Sequence, residues 1–266
     1  MPEVAALYRH PVKGMAPQPH ERLTVLDAGP VAGDRVLGLL FADAGDPDFG
    51  EWWHPKKMLT LTNTPGLALI GASLDAGGTR LEVTLSGKRL VEAALDEAGR
   101  GQIAAAVGEY IATLPENPLR DHPERAPLQL VGDTAAPALA DHTSRHISVI
   151  GRASIEALAM AMDAEVDERR FRGNVLVEGI DAWDEFNWVG RTLRIGDMEF
   201  EVAQPIVRCL ATHANPESGD RDLAVMNTLT SVFGHEQPLM GVLAVPAAGG
   251  EIAVGDAVTI EGQAAS

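Results

Sequence analysis

The chain has 266 residues and a single cysteine, Cys209. One thiol excludes an internal disulfide and a thiolate metal cluster, so Cys209 is either a small buried hydrophobe or a reactive group. Aromatic residues make up only 5%, which argues against a stacking surface for single-stranded nucleic acid. Basic residues are also few: 21 Lys and Arg face 38 Asp and Glu, for a net charge of −17. Without a Lys/Arg run to offset it, that charge repels a phosphate backbone and an anionic membrane surface. No nucleic-acid or membrane partner is therefore expected. A few local arginines can still build a positive pocket in so acidic a protein. No apolar stretch reaches the roughly 20 residues of a transmembrane helix. Met1 to Pro11 has no long apolar run and does not read as a signal peptide. With one cysteine, this pattern fits a reducing cytoplasm.

Several motifs are missing as well. The histidines (His10, His20, His54, His122, His142, His146, His213 and His235) are scattered apart from His142 and His146, which stand four residues apart without a His-Glu-x-x-His motif, so a zinc or iron site is not expected. The chain has no Gly-x-Ser-x-Gly elbow, Walker A loop or Gly-x-Gly-x-x-Gly turn. Trp52, Trp53, Trp183 and Trp188 read as packing anchors.

What remains is a core-forming chain. Hydrophobic residues make up 45% and mean hydropathy is near zero. Short apolar runs between Gly/Pro turns predict strands at Val4–Tyr8, Leu23–Leu26, Val36–Ala42 and Thr79–Leu85. Apolar residues at Ile103, Ala104, Val107 and Ile111 have helical spacing. Leu114–Pro127 holds four prolines and five charged residues, which reads as a boundary between units at 1–120 and 121–266. Beyond it, strands are predicted at Ile147–Ile150, Val175–Val177, Leu193–Ile195, Phe200–Ala203 and Val207–Leu210. A helix follows Ser154, a possible cap. Glu251 to Ile260 reads as strand, Gly-Asp turn, strand: a hairpin signal. The expected fold is mainly β (α+β), with two linked barrel-like units and a few helices.

Five stretches can carry chemistry. Arg208-Cys209 sets a guanidinium next to the thiol, an arrangement that favours thiolate, the form that binds a soft metal or carries sulfur. Arg169-Arg170-Phe171-Arg172-Gly173-Asn174 suits bidentate phosphate recognition, or is a solvated loop paired with nearby carboxylates. Lys13 stands at a strand-to-turn junction as a further cation, or is just exposed there, and Gly33-Asp34-Arg35 offers another cation, or is an internal Asp–Arg pair. Thr143-Ser144-Arg145-His146 offers hydroxyls, a guanidinium and an imidazole, or is ordinary turn chemistry.

In order and spacing, these motifs resemble MOSC-domain proteins, named for the C-terminal domain of molybdenum cofactor sulfurases. The similarity is to the two-part type with an N-terminal β-barrel domain, which includes the amidoxime reducing component family. It rests on Tyr8-Arg9-His10-Pro11-Val12-Lys13-Gly14, Gly33-Asp34-Arg35, the run from Leu59 to Ile70, Arg170-Phe171-Arg172-Gly173-Asn174, and Arg208-Cys209 with Thr212, Pro216 and Gly219. The closing Ile252-Ala253-Val254-Gly255-Asp256 fits too. Three positions depart from the pattern: Gly14 stands where relatives often have a hydroxyl residue, Gly173 where they have Pro, and Asn215 where they have Asp.

The resemblance implies a pyranopterin molybdenum cofactor, with Cys209 as metal ligand and catalytic residue. Lys13, Arg35 and Arg172 would contact the pterin and its phosphate, and Thr143, Ser144 and Arg145 would add contacts. Arg170, Asn174 and Arg208 would complete the cationic surround. At family level the resemblance also carries a pyridoxal-phosphate-binding label. The implied function is an oxidoreductase that reduces N-hydroxylated or related oxo-acceptor small molecules, with electrons from a separate redox protein. The alternatives are a sulfur carrier with a persulfide on Cys209, a cofactor-binding module without turnover, and a degenerate domain in which Cys209 only packs.

Overall fold

The computed structural model describes residues 1–27, 29–45, 57–135, 139 and 146–262. In chain order the first part contains β1 (Glu3–Arg9), β2 (Gln18–His20), β3 (Arg22–Val25), β4 (Leu37–Leu40), β5 (Ile70–Leu74), β6 (Arg80–Leu85), β7 (Lys88–Ala94), α1 (Glu97–Thr113) and β8 (Gln129–Gly132). The second contains β9 (Ile147–Gly151), α2 (Arg152–Met162), β10 (Val175–Glu178), β11 (Thr192–Ile195), β12 (Met198–Val207), α3 (Val225–Ser231), β13 (Leu239–Pro246), β14 (Gly250–Ala253) and β15 (Val258–Glu261). The protein is mainly β, as expected.

The largest sheet runs β15-β11-β12-β13-β9-β10-β1-β2. It closes on itself. Glu3 bridges Ala257 in antiparallel fashion. The Val4 amide donates to the Asp256 carbonyl, and the Gly255 amide to the Val4 carbonyl, both at 2.9 Å. Closure leaves an inner face that must be apolar and an outer face that need not be. β12 follows that rule: Met198, Phe200 and Val202 are buried, while Glu199, Glu201 and Ala203 are exposed. Val4, Leu7, Val149, Val175, Phe200 and Val242 meet in this core. β3 and β14 pair with each other and add Leu23, Val25 and Ile252.

The parallel pair β9 and β10 is joined by α2, the crossover that parallel strands need. All five residues of β9 are buried, because Ile147 and Val149 face the barrel while Ile150 packs with Ile155, Leu158 and Phe171. Around a separate core, β4 pairs with β8, and β5, β6 and β7 form a three-stranded sheet. There Val12, Met15, Leu37, Leu81 and Val83 pack with Ile103, Val107 and Ile111 of α1. The N-terminal stretch thus serves both cores: Val4 and Leu7 the barrel, Val12 and Met15 the other.

Three local expectations are corrected. Ser154 is not a cap: it lies inside α2, whose N-cap is Gly151. Its hydroxyl donates to Glu185 Oε2 and accepts from the Trp183 amide, both at 2.8 Å. The closing hairpin does not form, since β14 pairs with β3 and β15 with β11. Phe200–Ala203 and Val207–Leu210 are not two strands. One strand ends at Val207, with register shifts before Gln204 and after Pro205, and Leu210–His213 is a 3-10 turn. Proline has no N–H to give the ladder, so a bulge there is expected. Trp52, Trp53, His54 and His142 lie outside the described residues.

Candidate functional site

Beyond β12 the backbone stays extended for two residues, and alternation sends their side chains apart. The Arg208 side chain turns inward: Nε donates to the Met240 carbonyl and Nη1 to the Phe171 carbonyl, each at 2.8 Å. Its guanidinium also lies 5.7 Å from the centre of the Phe171 ring. Cys209 turns outward and is exposed. The reading of Cys209 as a packed core residue is therefore corrected, while the neighbouring guanidinium keeps its charge as its N–H groups hold backbone carbonyls. The Cys209 carbonyl accepts from the Thr212 amide at 3.1 Å and its hydroxyl at 3.0 Å, which starts the 3-10 turn.

The thiol borders a cleft. Among the described residues, its lining includes Arg35, Arg170, Arg172, Asn174, Arg208 and Cys209. Arg35 and Arg172 both adopt the left-handed conformation, with φ of 51° and 52°. Such φ values are uncommon outside glycine and cluster at functional sites. These two arginines are also linked, because Arg35 Nη2 donates to the Arg172 carbonyl at 2.9 Å. Arg35 pairs with the buried Asp34, and Arg172 Nη1 donates to the Met15 carbonyl.

Behind this pair lies His10, fully buried, with Nε2 3.3 Å from the Gly173 carbonyl. Burial, then the charges of Arg172 and Arg35, hold its pKa well below the ordinary histidine range. It is a neutral ring between the two halves of the site.

Other expected residues serve as supports. Arg170 is buried, and its Nη2 meets Asp222 Oδ1 and Oδ2 at 2.7 and 2.8 Å. Its Nη1 donates to the His213 carbonyl at 3.1 Å. Burial pushes Asp222 up, but hydrogen bonds from Arg170 and Asn215 outweigh it, and the net shift is below the usual carboxylate value. Arg169 pairs with Asp167 and Glu217. Asn174 Oδ1 accepts from Ser148 Oγ at 2.9 Å, and Nδ2 donates to the Tyr8 carbonyl at 3.2 Å, so it joins β9 and β10 to β1. Lys13 is buried, with Nζ 2.9 Å from the Leu139 carbonyl, and is not among the described residues lining the cleft. Thr143, Ser144 and Arg145 lie outside the described residues.

Sequence reasoning missed His10 and Asp222, because no local pattern tells a carboxylate that meets a buried arginine from one that meets water.

The chemistry of the cleft follows. Among the described residues, four guanidinium groups (Arg35, Arg170, Arg172 and Arg208) face two carboxylates, Asp34 and Asp222, so the described part of the cleft carries more positive than negative charge in a chain of net charge −17. That suits an anionic ligand with phosphate character. An exposed thiol at the edge suits a soft metal. Among the described residues, no three His, Cys, Asp or Glu side chains are grouped to hold a metal ion.

Comparison with known proteins decides the family. Residues 1–109 match the MOSC N-terminal beta barrel domain, and residues 136–259 match the MOSC domain. The chain is a two-part MOSC protein. Among its relatives is mitochondrial amidoxime-reducing component 1 of Homo sapiens, 29% identical over 126 residues, 43% of this chain and 36% of that protein. A molybdenum cofactor sulfurase of Anopheles gambiae is 36% identical over 76 residues, 29% of this chain and 9% of the sulfurase. The MOSC chain thus spans about a third or less of these curated relatives' lengths. Among solved structures, a YuaD protein from Bacillus subtilis aligns over 98% of this chain and 96% of its own, with 12% identity and a TM-score of 0.43. YiiM from Geobacillus stearothermophilus aligns over 44% and 54%, with 14% identity and a TM-score of 0.33.

Proposed function

We propose that this MOSC protein is a molybdenum cofactor-dependent oxidoreductase that reduces N-hydroxylated or related oxo-acceptor small molecules. The family and its relatives support a molybdenum-cofactor-associated function. The observation that carries the reading is the exposed Cys209 thiol at the edge of a cleft whose described residues carry excess positive charge. Cys209 would ligate the metal. Arg35 and Arg172 would hold the pterin phosphate, and Arg170 and Arg208 would hold the backbone around it. When bound, the molybdenum centre supplies two-electron chemistry at an oxo or hydroxyl group. In the overall reaction the N–O bond breaks, the substrate gains two electrons and two protons, and water leaves. The electrons come from a separate redox protein. Lys13 and the Thr143-Ser144-Arg145 run complete the proposed cofactor contacts. The reading fits a cytoplasmic protein; among the described residues no helix is long and apolar enough to cross a membrane.

The direct test is reduction of an amidoxime by protein made in a host that synthesises the cofactor, with reduced viologen as electron source. Cys209→Ser should fold and lose at least about 100-fold in rate, beyond the usual effect of losing a supporting partner. Full activity in that variant would overturn the ligand role. The exposure of Cys209 also favours a second reading, a sulfur carrier. A persulfide would then add the mass of one sulfur to the intact protein and vanish with reductant.

A further inference from the structure

The run from Leu59 to Ile70 belongs to the first core, yet it touches the turn that carries Cys209. Arg221 makes the connection. Its Nη1 donates to the carbonyl of Leu210, the residue after Cys209, at 3.1 Å. Its Nη2 donates to the Thr62 carbonyl at 2.9 Å and the Leu61 carbonyl at 3.3 Å. Its Nε and Nη2 meet the Glu116 carboxylate at 3.0 to 3.2 Å. The planar fork of one guanidinium thus spans the cysteine turn, the Leu61–Thr62 backbone and the segment after α1, which an ammonium could not do with the same geometry.

Two further observations place the same turn on the same platform. Ala214 is 2% exposed and belongs to the first core, not the barrel, and Ala211 packs against that core. Gly219, at φ +73°, lies so close to the Leu59–Ile70 run that a Cβ there would sit 3.0 Å from the Gly66 Cα. The turn is tied internally as well: Ala214 bridges Arg221, and the Gly219 amide donates to the Asn215 carbonyl at 2.9 Å. Arg221, the two alanines and Gly219 therefore all fasten residues 210–221 to the N-terminal barrel domain.

We propose that Arg221 is a positioning residue that seats the Cys209 turn on the N-terminal barrel domain, so that both domains set the place of the thiol. This rests on the reading of Cys209 as the working group of the cleft, but it does not require a particular cofactor. It gives the Leu59–Ile70 run a role as the platform for that turn.

The test compares wild type with Arg221→Met, Arg221→Lys, Gly219→Ala and Glu116→Gln. Amide exchange and the rate of Cys209 alkylation by iodoacetamide are measured on metal-free protein, with molybdenum content measured on protein from a cofactor-making host. In Arg221→Met, exchange at Thr212, Ala214 and Gly219 should quicken about tenfold or more, as expected when a turn gains a local opening, while α1 stays protected. Alkylation should quicken with it, and molybdenum retention should fall. Arg221→Lys should restore part of each effect. Glu116→Gln, which keeps the carbonyl contacts, should stay near wild type. Gly219→Ala should act in the same direction as Arg221→Met, and it keeps the test alive if that variant does not fold. Wild-type exchange and alkylation in both Arg221→Met and Gly219→Ala would overturn the proposal, and so would faster exchange with unchanged alkylation. A wild type without molybdenum would count against the cofactor reading alone, because exchange and alkylation do not depend on metal.

Discussion

Arg208 and Cys209 are neighbours with opposite surroundings, and strand alternation is the reason. The arginine holds carbonyls inside while the thiol faces out. Two further residue-scale effects are measurable. Asp222 balances the buried Arg170. Asp222→Asn should lower unfolding stability by about 2 kcal/mol, less than breaking a fully buried pair because the carboxylate is partly exposed. Urea unfolding of the two proteins measures it. His10 supplies a pH dependence. Unfolded, it takes a proton near pH 6.5; folded, burial and the charges of Arg172 and Arg35 prevent this. Its contribution to stability is therefore present above about pH 6.5 and is lost as pH falls below that value, at about 1.4 kcal/mol per pH unit. His10→Gln should remove one proton's worth of that slope in denaturant midpoints taken from pH 7 to pH 5. An unchanged slope would show that His10 titrates normally.

At the scale of elements, Glu185 shows how a buried carboxyl can organise a helix start. It is fully buried and accepts from Ser154 Oγ and the Gly151 amide at the N-terminus of α2. Burial raises its pKa above the usual carboxylate value, and the bonds from Ser154 and Gly151 only partly offset this. With the folded pKa raised, stability is greatest at low pH and falls as pH rises from about 4.5 through the folded pKa. Glu185→Gln should flatten that fall in thermal unfolding measured from pH 4 to pH 7. The sequence shows where many elements lie because their burial is periodic: β12 alternates, and α1 shows its Ile103, Val107 and Ile111 stripe. The first turns of α1 carry no such stripe. They hold Gly99, where a Cβ would sit 2.0 Å from the Ala94 carbonyl, and the helix starts at Glu97, earlier than its apolar pattern, because Asp96 caps it by accepting from the Gly99 amide at 2.8 Å. The Gly255-Asp256 turn is equally local, but pairing partners are not. β14 and β15 flank that turn and pair with β3 and β11, a choice made by the closed barrel.

At the scale of the whole molecule, the chain is acidic yet gathers arginines in one cleft. The sequence shows the arginines in three separate motifs. It does not show that Arg35 touches Arg172 across the two halves, because that contact depends on β1 running beside β10. The same pairing makes the halves depend on each other. Val4 and Leu7 are each 1% exposed inside the second core. A fragment of residues 121–266 should therefore not melt cooperatively alone, since it lacks the strand that closes its barrel. Calorimetry of that fragment checks this, and a sharp transition like that of the full chain would contradict it. Metal content shows whether Cys209 and the arginine cleft hold a molybdenum cofactor. Molybdenum per chain would be measured by plasma mass spectrometry on protein from a cofactor-making host, beside Cys209→Ala. Near-stoichiometric molybdenum is expected in the wild type, and its loss in the variant. No molybdenum in either, with both folded, would contradict the cofactor reading.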